Sequence, residues 1–286
     1  MPESPLHGSS NDERGSPSEW GSILAFIVLA NAVTWLACLL LRSTFAAGHL
    51  WALFTFLFVT VWSPTVIALA LSFSFEGTSG VRNLLGLLFR RFSKNRSWYF
   101  IGVMVPTASV ALAIITARHL HYDAPFLPLA ALPFTLGLQV ITGAMGEELG
   151  WRGFLLSHLE RRLSPRIAAL IMAITWALWH LPAFFFPGMP QQQLPPIAFL
   201  LMVAAFGIFL ALLFNRTRGH LVSTMLAHFS LNLSIAIRGA ILGSVFIWTL
   251  AFIFSIIAIL SLTRLSAQPI RIAKMGEAFT PLGTDI

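Results

Sequence analysis

Charge is scarce in this chain. Only 10% of its 286 residues are Asp, Glu, Lys or Arg, where a soluble domain carries about 25%. Cysteine is scarcer still. Cys38 stands alone, which excludes a disulfide framework and a multi-cysteine metal site. It is read as a small packing hydrophobe. Aspartate occurs only as Asp12, Asp123 and Asp285, none within an apolar span, so no intramembrane aspartyl pair is available. The chain contains no His-Glu-x-x-His pattern, which argues against a zincin-type site. Nor does any serine lie in a Gly-x-Ser-x-Gly elbow.

What is present is apolar: 57% hydrophobic residues and a mean hydropathy of +0.80. These values predict an all-α, polytopic transmembrane helical bundle. About eight spans are expected, near 20–41, 49–75, 98–117, 125–156, 167–184, 196–214, 220–237 and 241–263. No soluble domain interrupts them. Residues 1–19, rich in Ser, Pro, Gly and acid, are expected to form a disordered cytoplasmic tail. Residues 20–265 are expected to form the bundle, and 266–286 a second cytoplasmic tail.

The net charge of +7 does not imply nucleic acid, because the basic residues punctuate apolar spans instead of forming a patch. Instead they set orientation. With both termini cytoplasmic, 14 Lys and Arg fall on the cytoplasmic side and 3 (Arg42, Arg118 and Arg238) on the other; Arg152, within the fourth span, completes the 18. Such a split is a positive-inside signal. It predicts a multi-pass protein of the cell (inner) membrane, with the lipid bilayer as its surroundings.

Against this background a few polar residues stand out. The fourth span carries Glu147, Glu148 and Arg152, the fifth His180, the seventh His228 and Asn232. Ionisable groups inside a membrane span are expensive and mark functional sites by default. Counted at 1.5 Å per residue, Glu147, His180, His228 and Asn232 lie roughly 12–20 Å from the cytoplasmic ends of their helices. The spans alternate in direction, so this common depth predicts one site in the membrane. Substrate is expected to enter it from the cytoplasmic side or laterally from the inner leaflet. Glu148 and Arg152 are four apart with Glu N-terminal, the favourable order for a helical ion pair. They are expected to neutralise each other and leave Glu147 free. The aromatic faces of Trp176 and Trp179 are read as packing. Gly143, Gly146, Gly150 and Gly153 form a stripe that lets a neighbouring backbone approach closely. Pro182 is expected to bend or end the fifth helix.

At these residues the chain resembles the CPBP intramembrane endopeptidases, the family of type II CAAX prenyl proteases and of bacteriocin-processing and immunity proteins. The family pattern is Glu-Glu-x-x-x-Arg, Phe-x-x-x-His and His-x-x-x-Asn. Here it reads Glu147-Glu148-x-x-x-Arg152, Trp176-x-x-x-His180 and His228-x-x-x-Asn232, with Trp in place of Phe. The resemblance covers about residues 126–236. It implies metal-independent proteolysis of a membrane-associated peptide or protein, with a prenylated CAAX-like substrate as one option. Glu147 and His180 would activate a water. His228 and Asn232 would form an oxyanion hole, and Glu148 and Arg152 would support Glu147. No cofactor is implied, although Glu147, His180 and His228 are also chemically able to hold zinc. The competing function is non-proteolytic: a membrane scaffold, a bacteriocin-immunity factor, or a proton-coupled carrier using the same buried Glu and His.

Overall fold

The computed structural model describes residues 17–121, 127–187, 189–237 and 243–268. Most of both expected tails falls outside these residues. The described residues form helices joined by turns, without strands. Helix α1 spans Pro17–Ala46, α2 Leu50–Gly86 and α3 Ser97–His119. A composite helix, α4, runs over 132–160. Then come α5 (Pro165–Trp179), α6 (Pro196–Arg216), α7 (Leu221–Ala236) and α8 (Gly243–Arg264). Among the described residues, six helical stretches are long and apolar enough to cross a membrane, while Leu221–Ala236 is a shorter apolar helix. The chain is a polytopic helical bundle, and an integral, multi-pass membrane protein.

Local sequence sets the helix ends. Ser164 caps α5 by accepting the Ile167 N–H at 3.4 Å, with Pro165 in the first turn. At the other end α5 stops at Trp179, and the chain turns through a short 3-10 segment, Leu181–Phe184, that contains Pro182. Pro182 thus ends the helix as expected. Gly77 interrupts α2 at φ +65°, a backbone conformation that glycine adopts at no steric cost.

Helix α6 is the hub. Its Phe199, Val203, Phe206, Leu210, Leu213 and Phe214 are buried, and it packs against α5 on one side and α8 on the other. Helix α3 lies on α7 and α8, while α1 pairs with α2. One end of the bundle gathers the basic residues. Arg162 meets Glu19 at 2.7 Å, Arg166 donates to the Leu265 carbonyl at 2.9 Å, and Arg216 to the Arg264 carbonyl at 3.0 Å.

Helix α4 departs from expectation. A straight α-helix was the natural reading of an apolar run, yet two stretches, Val140–Ala144 and Leu149–Leu156, are wound with i→i+5 bonds. Such widened turns are rare and concentrate at functional sites. They flank the short α-helical turn Met145–Glu148 that carries both glutamates. The glycine stripe also divides. Gly146 and Gly150 press on α2, where a Cβ would come within 2.7 Å of the Val61 carbonyl and 2.5 Å of Pro64 backbone. Gly143 instead faces Asn232 of α7. Close approach by glycine therefore clamps α4 between α2 and α7 at the level of the motif.

Candidate active site

The glutamates are buried, Glu147 at 5% exposure and Glu148 at 0%. Each has a distinct set of partners. Glu147 Oε2 accepts from the indole N–H of Trp176 at 2.8 Å. Glu148 Oε1 accepts from Arg152 Nη1 at 2.9 Å, and His228 Nδ1 lies 2.8 Å from the same oxygen. The Glu148–Arg152 ion pair is therefore present in the i,i+4 arrangement read from the sequence. Its third member, His228, was not foreseen. An i,i+4 rule sees only one helix, and His228 approaches from α7.

Arg152 makes a single hydrogen bond to the pair. Its Nε and Nη2 have no hydrogen-bond partner among the described residues, and its guanidinium lies over the Trp176 ring, 4.2 Å from the centroid. The Trp176 ring also meets both histidines edge-on, with centroids 5.4 Å from His180 and 5.4 Å from His228. The reading of Trp176 as mere packing is thus corrected. Its indole stands among Glu147, Arg152, His180 and His228. The signal available in the sequence was its place one turn before His180, together with a polar N–H that usually finds a partner when buried.

His180 caps α5 and is half-buried. Its Nδ1 lies 2.8 Å from the Trp176 carbonyl. A carbonyl only accepts, so Nδ1 carries the proton and the neutral ring has its lone pair on Nε2. His228 is anchored through the same nitrogen, to a carboxylate. Asn232 sits one turn beyond His228, with its amide nitrogen beside Gly143. The four residues singled out by depth, and the supporting pair, thus converge on the α4–α5–α7 junction. Among the described residues, no three His, Cys, Asp or Glu side chains are grouped so as to hold a metal ion.

Fold and site together define a multi-pass membrane protein with an acid–imidazole centre inside its bundle. Residues 129–234 match the family model described as Rce1-like, type II CAAX prenyl endopeptidase. A relative named CAAX prenyl protease 2, from Methanococcus maripaludis, is 29% identical over 101 residues, covering 33% of this chain and 37% of that protein. The matched segment carries all three motifs, and over it the chain is similar to the type II CAAX prenyl endopeptidases. The similarity thus spans little more than a third of the relative's length.

Proposed function

We propose that this protein is an intramembrane endopeptidase that hydrolyses a peptide bond by general-base attack of water. The observation that carries the reading is the convergence of Glu147, His180, His228 and Asn232 from three helices within the segment that matches the protease family. Glu147 takes one proton of a water, whose other O–H donates to the Nε2 lone pair of His180, as the water oxygen attacks the scissile carbonyl. That proton passes to the leaving amine as the C–N bond breaks, and the carboxylic acid so formed yields its own proton to the released amine, leaving a carboxylate and an ammonium. Asn232 donates its amide N–H to the developing oxyanion. His228 joins it through Nε2–H when both ring nitrogens are protonated. The charges then balance, since Arg152 and an imidazolium offset two carboxylates. Glu148 holds His228 and Arg152 in place. No step requires a metal or cofactor.

The substrate is proposed to be a membrane-associated peptide or protein. A prenylated CAAX-like terminus is the first candidate, because the relative's name points to it. A groove of 440 Å³ opens between α2 and the start of α4, lined by Phe54, Thr55, Leu57, Phe58, Val59 and Leu138. It lies two residues from Val61, which touches Gly146, at the end of the bundle away from the clustered arginines.

Purified protein in nanodiscs, offered a farnesylated CAAX peptide and its unmodified counterpart, tests this reading. Cleavage of either supports a peptidase, and preference for the farnesylated one supports a lipid-recognising groove. Cleavage of neither, nor of any membrane-anchored peptide, contradicts it. The basic end is proposed to face the cytoplasm. In a Cys38→Ser background, an impermeant thiol reagent on intact cells should label Gln192→Cys and spare Arg91→Cys; the reverse pattern inverts the topology.

A further inference from the structure

Four ionisable groups surround Trp176, and it touches each in a different way. Its indole N–H donates to Glu147 at 2.8 Å, and its ring face lies under the Arg152 guanidinium at 4.2 Å. Its carbonyl accepts the His180 Nδ1 proton at 2.8 Å, and its ring edge-packs on His228 at an interplanar angle of 78°. The side chain itself is buried, at 2% exposure. Gly207 of α6 backs it so closely that a Cβ there would come within 3.2 Å of the ring. The ring therefore packs closely on the backbone of α6 at Gly207.

We infer that Trp176 is a positioning residue, its indole N–H fixing the rotamer of the Glu147 carboxylate so that one oxygen is tethered and the other is free to take a proton. The inference rests on the endopeptidase reading and deepens it. A carboxylate on a two-methylene stem samples several rotamers, and general-base efficiency depends on hydrogen-bond reach to the attacking water. A charge-assisted hydrogen bond is stronger and shorter than a neutral one. Phe, the residue of the family pattern at this place, has no N–H to offer. This chain therefore adds an anchor that the pattern does not require.

The test pairs kinetics with a readout independent of activity. In Trp176→Phe the ring remains for Arg152 and the histidines while the N–H is lost. Its kcat on a membrane-anchored peptide should fall roughly 10- to 100-fold, the loss expected for a bond to a charged group. KM should stay within about twofold and thermal stability near wild type, because the tether acts on the reacting group and not on substrate binding. Trp176→Leu should lose stability as well, which separates packing from positioning. In parallel, ¹⁵N-indole NMR of the nine tryptophans assigns Trp176 by the resonance missing in Trp176→Phe. That resonance should shift markedly in Glu147→Ala while those of distant tryptophans stay in place. Wild-type kcat in Trp176→Phe, or an unmoved indole resonance in Glu147→Ala, overturns the inference. Absence of any peptide cleavage by the wild type instead removes the endopeptidase reading, and the NMR arm still decides the anchor.

Discussion

Removing Arg152 should unfold this protein more readily than any other single change at the site. Arg152 is fully buried at 0% exposure, bonded to Glu148 at 2.9 Å and stacked on Trp176 at 4.2 Å. In Arg152→Ala, Glu148 loses its cation and keeps the His228 contact at 2.8 Å. Breaking a buried pair by deleting one partner costs about 3–5 kcal/mol, because the surviving charge stays desolvated. His228 remains on the same oxygen, so the lower end of that range applies, about 3 kcal/mol. For a chain of this length that corresponds to a fall in Tm of about 5 °C. Thermal unfolding in one detergent, followed by intrinsic fluorescence, measures it. Arg152→Lys should fall between, since an ammonium reaches Glu148 but cannot cover the indole as a planar guanidinium does. Glu148→Gln combined with Arg152→Met should recover part of the loss, because both charges then leave the interior together. An Arg152→Ala protein as stable as wild type refutes the account of a supporting pair and makes Arg152 a group that acts on substrate.

Two further outcomes follow from the same geometry. His180→Ala and His228→Ala should each abolish cleavage, but only His228→Ala should also lower Tm, because His228 partners Glu148 while His180 bonds a backbone carbonyl; equal stability of the two contradicts the assigned partners. Glu160 lies beyond the candidate spans, buried beside Asn215 at 2.7 Å, and burial pushes its carboxyl up to about 8. A raised acid stabilises the fold fully below its unfolded value and progressively less as pH rises to the folded one. Wild-type Tm should therefore fall relative to Glu160→Gln as pH rises from about 4.5 to about 8, and a pH-independent difference contradicts this.

Much of the architecture was legible because hydropathy reports membrane spans directly. The Glu148–Arg152 pair was legible because an i,i+4 relation belongs to one helix, and Pro182 because a proline lacks the backbone donor that continues a helix, although Pro64 and Pro106 are carried inside α2 and α3. Other features belong to pairs of helices and leave no local mark. The His228–Glu148 contact joins residues 80 apart in sequence. The glycines of α4 fall on one stripe only if the helix is regular; the widened turns divide them between α2 and α7. Trp176 was legible as an aromatic but not as a donor, since the direction of an indole N–H depends on which neighbour stands beside it. Glu160 stands directly before Arg161 and Arg162, a charged run that gives no sign of burial, yet α6 covers it through Asn215.

The most direct test of the central claim is cleavage by purified wild-type protein and by Glu147→Gln, side by side on one membrane-anchored peptide, with and without a metal chelator. Gln keeps the size of the side chain and an oxygen for the Trp176 N–H, and removes only the capacity to take a proton. The account predicts cleavage by the wild type that the chelator leaves unchanged, and none by Glu147→Gln despite an unaltered Tm. Full cleavage by Glu147→Gln contradicts the glutamate mechanism, and loss on chelation restored by zinc recasts Glu147, His180 and His228 as metal ligands.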